Sequence, residues 1–137
     1  MEIYTSYFGN AKALEKADIV MVGIARWKPK FFSGINLLDV APLPFMLKGN
    51  LTREQYIESY NRYVLDKLDC KRFLDILGKI SLGKDVALCC YEKPNDFCHR
   101  HLLADYLENK IGLVVEEFGF SKNVSEKPKD MQLSLFQ

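Results

Sequence analysis

Val86 to Cys90 is an unbroken apolar run, preceded by Lys84-Asp85 and followed by the polar stretch that begins at Glu92. A short, wholly apolar run between polar boundaries reads as a strand covered on both faces, which parallel sheets require and one-sided antiparallel sheets do not. Asp18 to Ala25, DIVMVGIA, has the same character. Two such strands in one short chain call for a sheet with helices on both sides.

The rest of the chain supplies them. Glu2 to Phe8 is rich in β-branched and aromatic residues and stops at Gly9-Asn10, as a first strand would. A short helix over Ala11–Ala17 leads into the second strand. Thr52, with Gln55 three positions on, opens a helix through a capping box, and a further helix covers Cys70 to Ile80. A helix over about Phe97 to Lys110 follows the Val86–Tyr91 strand, with Asn95 or Asp96 as its N-cap. A last strand is expected near Val114–Glu116. The expected architecture is a three-layer α/β sandwich, Rossmann-like and mainly parallel, over residues 1–120. Residues 121–137 read as a flexible tail. Arg26 to Asn50, broken by Pro29, Gly34, Pro42, Pro44 and Gly49, reads as a long loop, and such loops in small domains are commonly functional.

Composition narrows the function. With 19 Lys and Arg against 18 Asp and Glu, the formal charge is +1, so bulk charge cannot grip a polyanion. Glu2 stands where a signal peptide would be basic, and the longest apolar stretch, Ile19–Ala25, falls short of the roughly 18 residues of a membrane span. These features point to a cytoplasmic chain that does not enter membranes. Its four cysteines, Cys70, Cys89, Cys90 and Cys98, are expected as free thiols, with Cys89 and Cys90 on opposite faces of their strand.

In an open parallel sheet, ligands bind beyond the carboxyl ends of the strands. Ser6, Arg26, Cys90 and Glu92 fall at such ends. With Cys98, His99 and Arg100 in the first turn of the next helix, that turn offers free N–H groups and the positive end of the helix dipole. A cation there opposes the dipole, so Arg100 makes sense if an anion is held. On this reading Ser6, Arg26, Cys90 and Arg100 bind an anion. Cys98, its thiol acidified by the helix end, and His99 supply nucleophilic or proton-transfer chemistry, and Glu92 orients them. Each has a structural alternative: a core thiol for Cys90 or Cys98, a core histidine for His99, a mutual ion pair for Arg100 and Glu92. No metal or cofactor is expected, because neighbouring helical residues project about 100° apart and Cys98 and His99 would not share one ion.

The segment VALCCYEKPNDFCHRHLLADYL, with IYTSYFG at the start and IARWKP after the second strand, resembles the family catalogued as domain of unknown function 488. The resemblance runs from Ile3 to about Glu117. It rests most on Cys90, Glu92, Cys98, His99 and Arg100, with the family's arginine after the second strand falling on Arg26. It implies an α/β sandwich with an active-site pocket at the strand ends, and no particular reaction.

Two further features suggest partners. RWKPKFF interleaves Arg26, Lys28 and Lys30 with Trp27, Phe31 and Phe32, the pattern of a single-strand stacking platform, or of a loop folded over its own small core. The terminal QLSLFQ resembles, at Gln132, Leu133, Leu135 and Phe136, the short peptide by which bacterial DNA polymerases and repair proteins dock on the sliding clamp. By composition that pattern arises at on the order of one position in ten thousand. The alternative is a terminal strand or hook packed on its own domain or on a symmetry mate. Two functions therefore stand: an enzyme on a small anionic substrate such as a nucleotide, or a non-catalytic accessory module on the replication machinery. The enzyme wants a closed polar pocket around Arg26, Cys98 and Arg100. The module wants a shallow groove with Trp27 and Phe31 exposed.

Overall fold

The computed structural model describes residues 1–93 and 97–120. Four strands form one sheet: β1 (Ile3–Tyr7), β2 (Val20–Gly23), β3 (Val86–Cys90) and β4 (Glu116–Glu117). Their order is β2-β3-β1-β4, and every pairing is parallel. The expected Rossmann-like α/β arrangement is present, and β3 is fully buried between β2 and β1. The last strand is two residues long and starts at Glu116, later than its apolar neighbours Val114 and Val115 suggest.

Strand alternation divides the core. Val86, Leu88 and Cys90 pack with residues of α2 (Arg53–Tyr63), α3 (Cys70–Ser81) and α4 (His99–Ile111), while Ala87 and Cys89 pack with Phe8, Phe32 and Leu14 of α1 (Ala11–Lys16). Cys89 and Cys90 do point to opposite faces. One face carries three long helices; the other is covered by α1 and part of the loop after β2.

Local sequence chemistry fixes the ends of the helices. Thr52 Oγ1 accepts from the Gln55 backbone N–H at 3.1 Å while Gln55 Oε1 accepts from the Thr52 N–H at 2.9 Å, completing the capping box. Asp69 caps α3 through a single bond, its Oδ1 accepting from the Arg72 backbone N–H at 3.1 Å, and Gly112 ends α4 with a left-handed φ of 71°. The N-terminus of α4 departs from the sequence reading. Asn95 and Asp96 lie outside the described residues, and the cap is Cys98, in an extended conformation of φ −153° and ψ 148°.

The long loop is ordered by two short 3-10 turns, Leu38–Val40 and Pro44–Leu47, and by a parallel bridge from Asn36 to Gly23. Tyr60 Oη of α2 donates to the Val40 carbonyl at 2.6 Å inside the core. That bond and the burial of Val40, Ala41 and Met46 fix the loop against α2. Among the described residues no helix is long and apolar enough to cross a membrane.

Candidate functional site

A pocket of about 470 Å³ opens beyond the carboxyl ends of β2 and β3. Arg26, Cys90, Glu92, Cys98 and His99 all line it, together with Trp27 at its edge. Five of the seven residues expected at the site are thus brought together. β2 delivers Arg26 three positions after Gly23, β3 ends in Cys90, and the cap of α4 brings Cys98 and His99 across from them.

The closest chemical relationship is between Cys98 and His99. The ring of His99 stands upright on the carbonyl of Ile24, 2.7 Å from Nε2. A carbonyl only accepts, so Nε2 carries the hydrogen and Nδ1 keeps its lone pair. That Nδ1 faces Cys98 Sγ at 3.6 Å. Burial, reinforced by the Arg100 and His101 charges and opposed by the Ile24 hydrogen bond, lowers the His99 pKa to about 4, so the ring is neutral at physiological pH. The Ile24 carbonyl orients the His99 ring, a part the sequence reading gives to Glu92. The Glu92 carboxylate lies at the pocket wall, and its carbonyl accepts from Arg100 Nη1 at 2.7 Å.

Arg100 corrects the sequence reading. It is wholly buried and does not line the pocket. Its Nε and Nη2 donate to Glu117 Oε1 and Oε2 at 3.1 and 3.0 Å, and Nη1 donates to Cys90 Sγ at 2.9 Å. A cation at this helix end is expected to hold a bound anion. The anion is internal: Glu117, on the far strand, which also accepts from Thr5 Oγ1 at 2.6 Å. An arginine so engaged faces Glu117 and Cys90 rather than the pocket, and is not placed to bind a substrate there.

Ser6 is also outside the pocket. It alternates with Ile3 and Thr5, so it shares the α1 face with Tyr4, whereas Cys90 belongs to the opposite face. Its hydroxyl accepts from Asn10 Nδ2 at 3.2 Å.

The cysteines bring a second correction. Cys90 and Cys98 are paired sulfur to sulfur with their Cα atoms 7.6 Å apart, wider than the roughly 4.4–6.8 Å that disulfides usually span, while Cys70 and Cys89 are free and buried. Free thiols at all four positions were expected because no export signal was seen, an argument about compartment that cannot see two sulfurs converging in space. Burial pushes the Cys89 thiol up to about 12 against the smaller opposing effect of Arg100, which suits a core residue. The objection to a shared ion also falls. Because Cys98 is an extended cap rather than a helical residue, the ligand atoms of Cys90, Cys98 and His99 lie within 4.8 Å of one another. While the sulfurs are bonded to each other they are not available as ligands.

The sequence reading missed the opposite wall. Arg53 and Tyr56 of α2, with Phe97 just before α4, line the pocket. The Arg53 guanidinium lies 4.8 Å from the Phe97 ring centroid, and Tyr56 meets the same ring edge-on at 5.3 Å. Burial, and after it the Glu92 charge, pushes the Tyr56 pKa well above the ordinary tyrosine value. The capping box at Thr52 was the usable signal, since it sets Arg53 at the first helical position and Tyr56 one turn on, on the same face.

The basic–aromatic loop is split. Trp27 and Phe31 are 63% and 73% exposed, while Phe32 is buried against Phe8. Lys30 is exposed; Arg26 Nε donates to the Pro42 carbonyl at 2.8 Å, and Lys28 Nζ sits 5.9 Å from the Phe32 ring centroid. Gln132, Leu133, Leu135 and Phe136 lie outside the described residues.

A parallel α/β sheet with a cysteine–histidine pocket at its strand ends is the class of protein that fold and site define. A family model described as the active DUF488-N3 subclade, DUF488-N3a, matches residues 12–111, and the chain belongs to that family. No curated protein and no solved structure matches it.

Proposed function

We propose that the protein is an enzyme acting on a small, planar, anionic substrate of nucleotide type. The observation that carries this reading is the 3.6 Å approach of Cys98 Sγ to the unprotonated Nδ1 of His99 in a pocket lined by Arg26. With Cys98 as the thiol, its S–H points to a neutral acceptor whose other nitrogen is held by Ile24. Because burial disfavours a standing imidazolium, the proton passes to Nδ1 only in concert with the attack of the sulfur on an electrophilic carbon or phosphorus. The dipole at the start of α4 favours the developing thiolate. Arg26 and Arg53 supply positive charge for an anionic group. Tyr56, Phe97 and Trp27 add aromatic surface for a planar one.

The test is calorimetric titration of the reduced full-length protein with nucleoside mono- and diphosphates. Binding that weakens at least tenfold in Arg26→Gln or Arg53→Gln supports the reading, and absence of binding to any of them overturns it.

The second reading, an accessory module that touches nucleic acid and docks on the sliding clamp through Gln132–Phe136, is favoured by the exposed faces of Trp27 and Phe31 beside Lys28 and Lys30. It predicts that Leu135→Ala with Phe136→Ala abolishes clamp binding without lowering the melting temperature. It further predicts that Trp27→Ala weakens single-strand binding. Clamp binding that persists in the double variant removes it.

A further inference from the structure

The pocket holds two sulfurs, and their surroundings differ in a way that gives each its own role. Cys90 Sγ accepts a hydrogen bond from Arg100 Nη1 at 2.9 Å, and the guanidinium is held in place by both oxygens of Glu117. Cys98 Sγ has His99 Nδ1 at 3.6 Å instead. Both sulfurs are buried in the fold, and both line the same pocket, so reagents reach them through it. A cavity of about 470 Å³ is large enough to admit a small thiol.

We propose that Cys90 and Cys98 form a thiol–disulfide exchange centre for low-molecular-weight thiols and disulfides, with Cys98 as the sulfur attacked and Cys90 as the leaving and resolving thiolate. This rests on the reading of Cys98 as the reactive sulfur and adds its regulation, since the Cys90–Cys98 bond masks it.

Reduction starts when a small thiolate attacks Cys98 Sγ. A bond forms between that sulfur and the reagent, the Cys90–Cys98 bond breaks, and the electron pair leaves on Cys90, where the Arg100 N–H group and charge receive it. A second thiolate then attacks the reagent's sulfur, releasing the reagent as its own disulfide and Cys98 as a thiol with His99 Nδ1 as its hydrogen-bond acceptor. Two electrons pass to the protein, Cys98 takes one proton from solvent, and Cys90 stays a thiolate beside Arg100. Oxidation is the reverse. Cys98 gives its proton to Nδ1 and attacks a small disulfide, one thiol departs, and the Cys90 thiolate displaces the second from Cys98. Cys70 and Cys89 lie outside the pocket and take no part.

The experiment is equilibration of the full-length protein with defined ratios of reduced and oxidised glutathione, acid quenching, alkylation and peptide mass analysis. The expected result is one reversible Cys90–Cys98 bond, with Cys70 and Cys89 alkylated only after denaturation. Cys90→Ser should accumulate a single glutathione adduct on Cys98, and Cys98→Ser should form an adduct on Cys90 at least roughly tenfold more slowly. If either variant fails to fold, substoichiometric glutathione added to the oxidised native protein should still trap its first adduct on Cys98. Adducts that favour Cys90, a pair that never bonds in the folded protein, or protein isolated with stoichiometric zinc on Cys90, Cys98 and His99 overturn the proposal. None of these readouts uses a substrate. A failed exchange with intact nucleotide binding removes only this proposal, and reversible exchange without nucleotide binding removes only the nucleotide reading.

Discussion

Arg100 and Glu117 meet as a doubly hydrogen-bonded ion pair, Nε to Oε1 at 3.1 Å and Nη2 to Oε2 at 3.0 Å, with the arginine fully buried and the glutamate side chain 11% exposed. The pair links the start of α4 to β4, and through Nη1 it reaches the end of β3 at Cys90. A guanidinium in the interior with five donors needs such a set of acceptors.

Removing one partner leaves the other as an uncompensated buried charge. Glu117→Gln should therefore destabilise the fold by about 3–5 kcal/mol in urea unfolding, far more than a surface pair would cost. A loss under about 1 kcal/mol, the surface range, would mean that water or another group satisfies Arg100.

His99 should make stability depend on pH. Its folded pKa, lowered to about 4 chiefly by burial, lies below the unfolded value of 6.5. Between those values the unfolded chain binds a proton that the native state refuses, so stability is complete above about pH 6.5 and falls as the pH drops toward 4. The contribution is on the order of 3 kcal/mol as an upper bound. Unfolding at pH 7.5 and pH 5 should show a smaller difference for His99→Gln than for the native protein. Equal differences would place the His99 pKa near its ordinary value.

Tyr60→Phe removes the donor to the Val40 carbonyl at 2.6 Å and leaves that buried acceptor without this partner. The cost should be about 1–3 kcal/mol. Because Met46 and Pro42 of the same loop line the pocket, limited proteolysis should cut the 26–50 loop faster in the variant. An unchanged cleavage rate would show that the loop is held by its apolar contacts alone.

The parallel sheet was legible because Val86–Cys90 and Asp18–Ala25 are apolar on both faces, which leaves few alternatives. The pocket's near wall was legible for a related reason: strand ends and the following helix start are close in the chain, so Cys90, Glu92, Cys98 and His99 announce their proximity by spacing. Arg100 was misplaced because its partner, Glu117, is distant in sequence, and a dipole argument can demand an anion without saying where it comes from. The Cys98 cap was lost because a cysteine side chain gives no capping signal. Arg53 and Tyr56 come from a helix whose docking depends on how the 26–50 loop folds, and no local periodicity encodes that.

The proposed function and the proposed exchange centre both depend on Cys98 being a reactive sulfur in a pocket that binds anions. The most direct test of this is the alkylation rate of each cysteine in the reduced, folded protein at neutral pH, with and without a nucleoside phosphate. Cys98 should react well ahead of Cys70, Cys89 and Cys90. Iodoacetate should gain on neutral iodoacetamide relative to a free thiol, because Arg26 and Arg53 line the approach, and the nucleotide should protect. Reaction of Cys98 only after denaturation, or at a rate the nucleotide leaves unchanged, would contradict it.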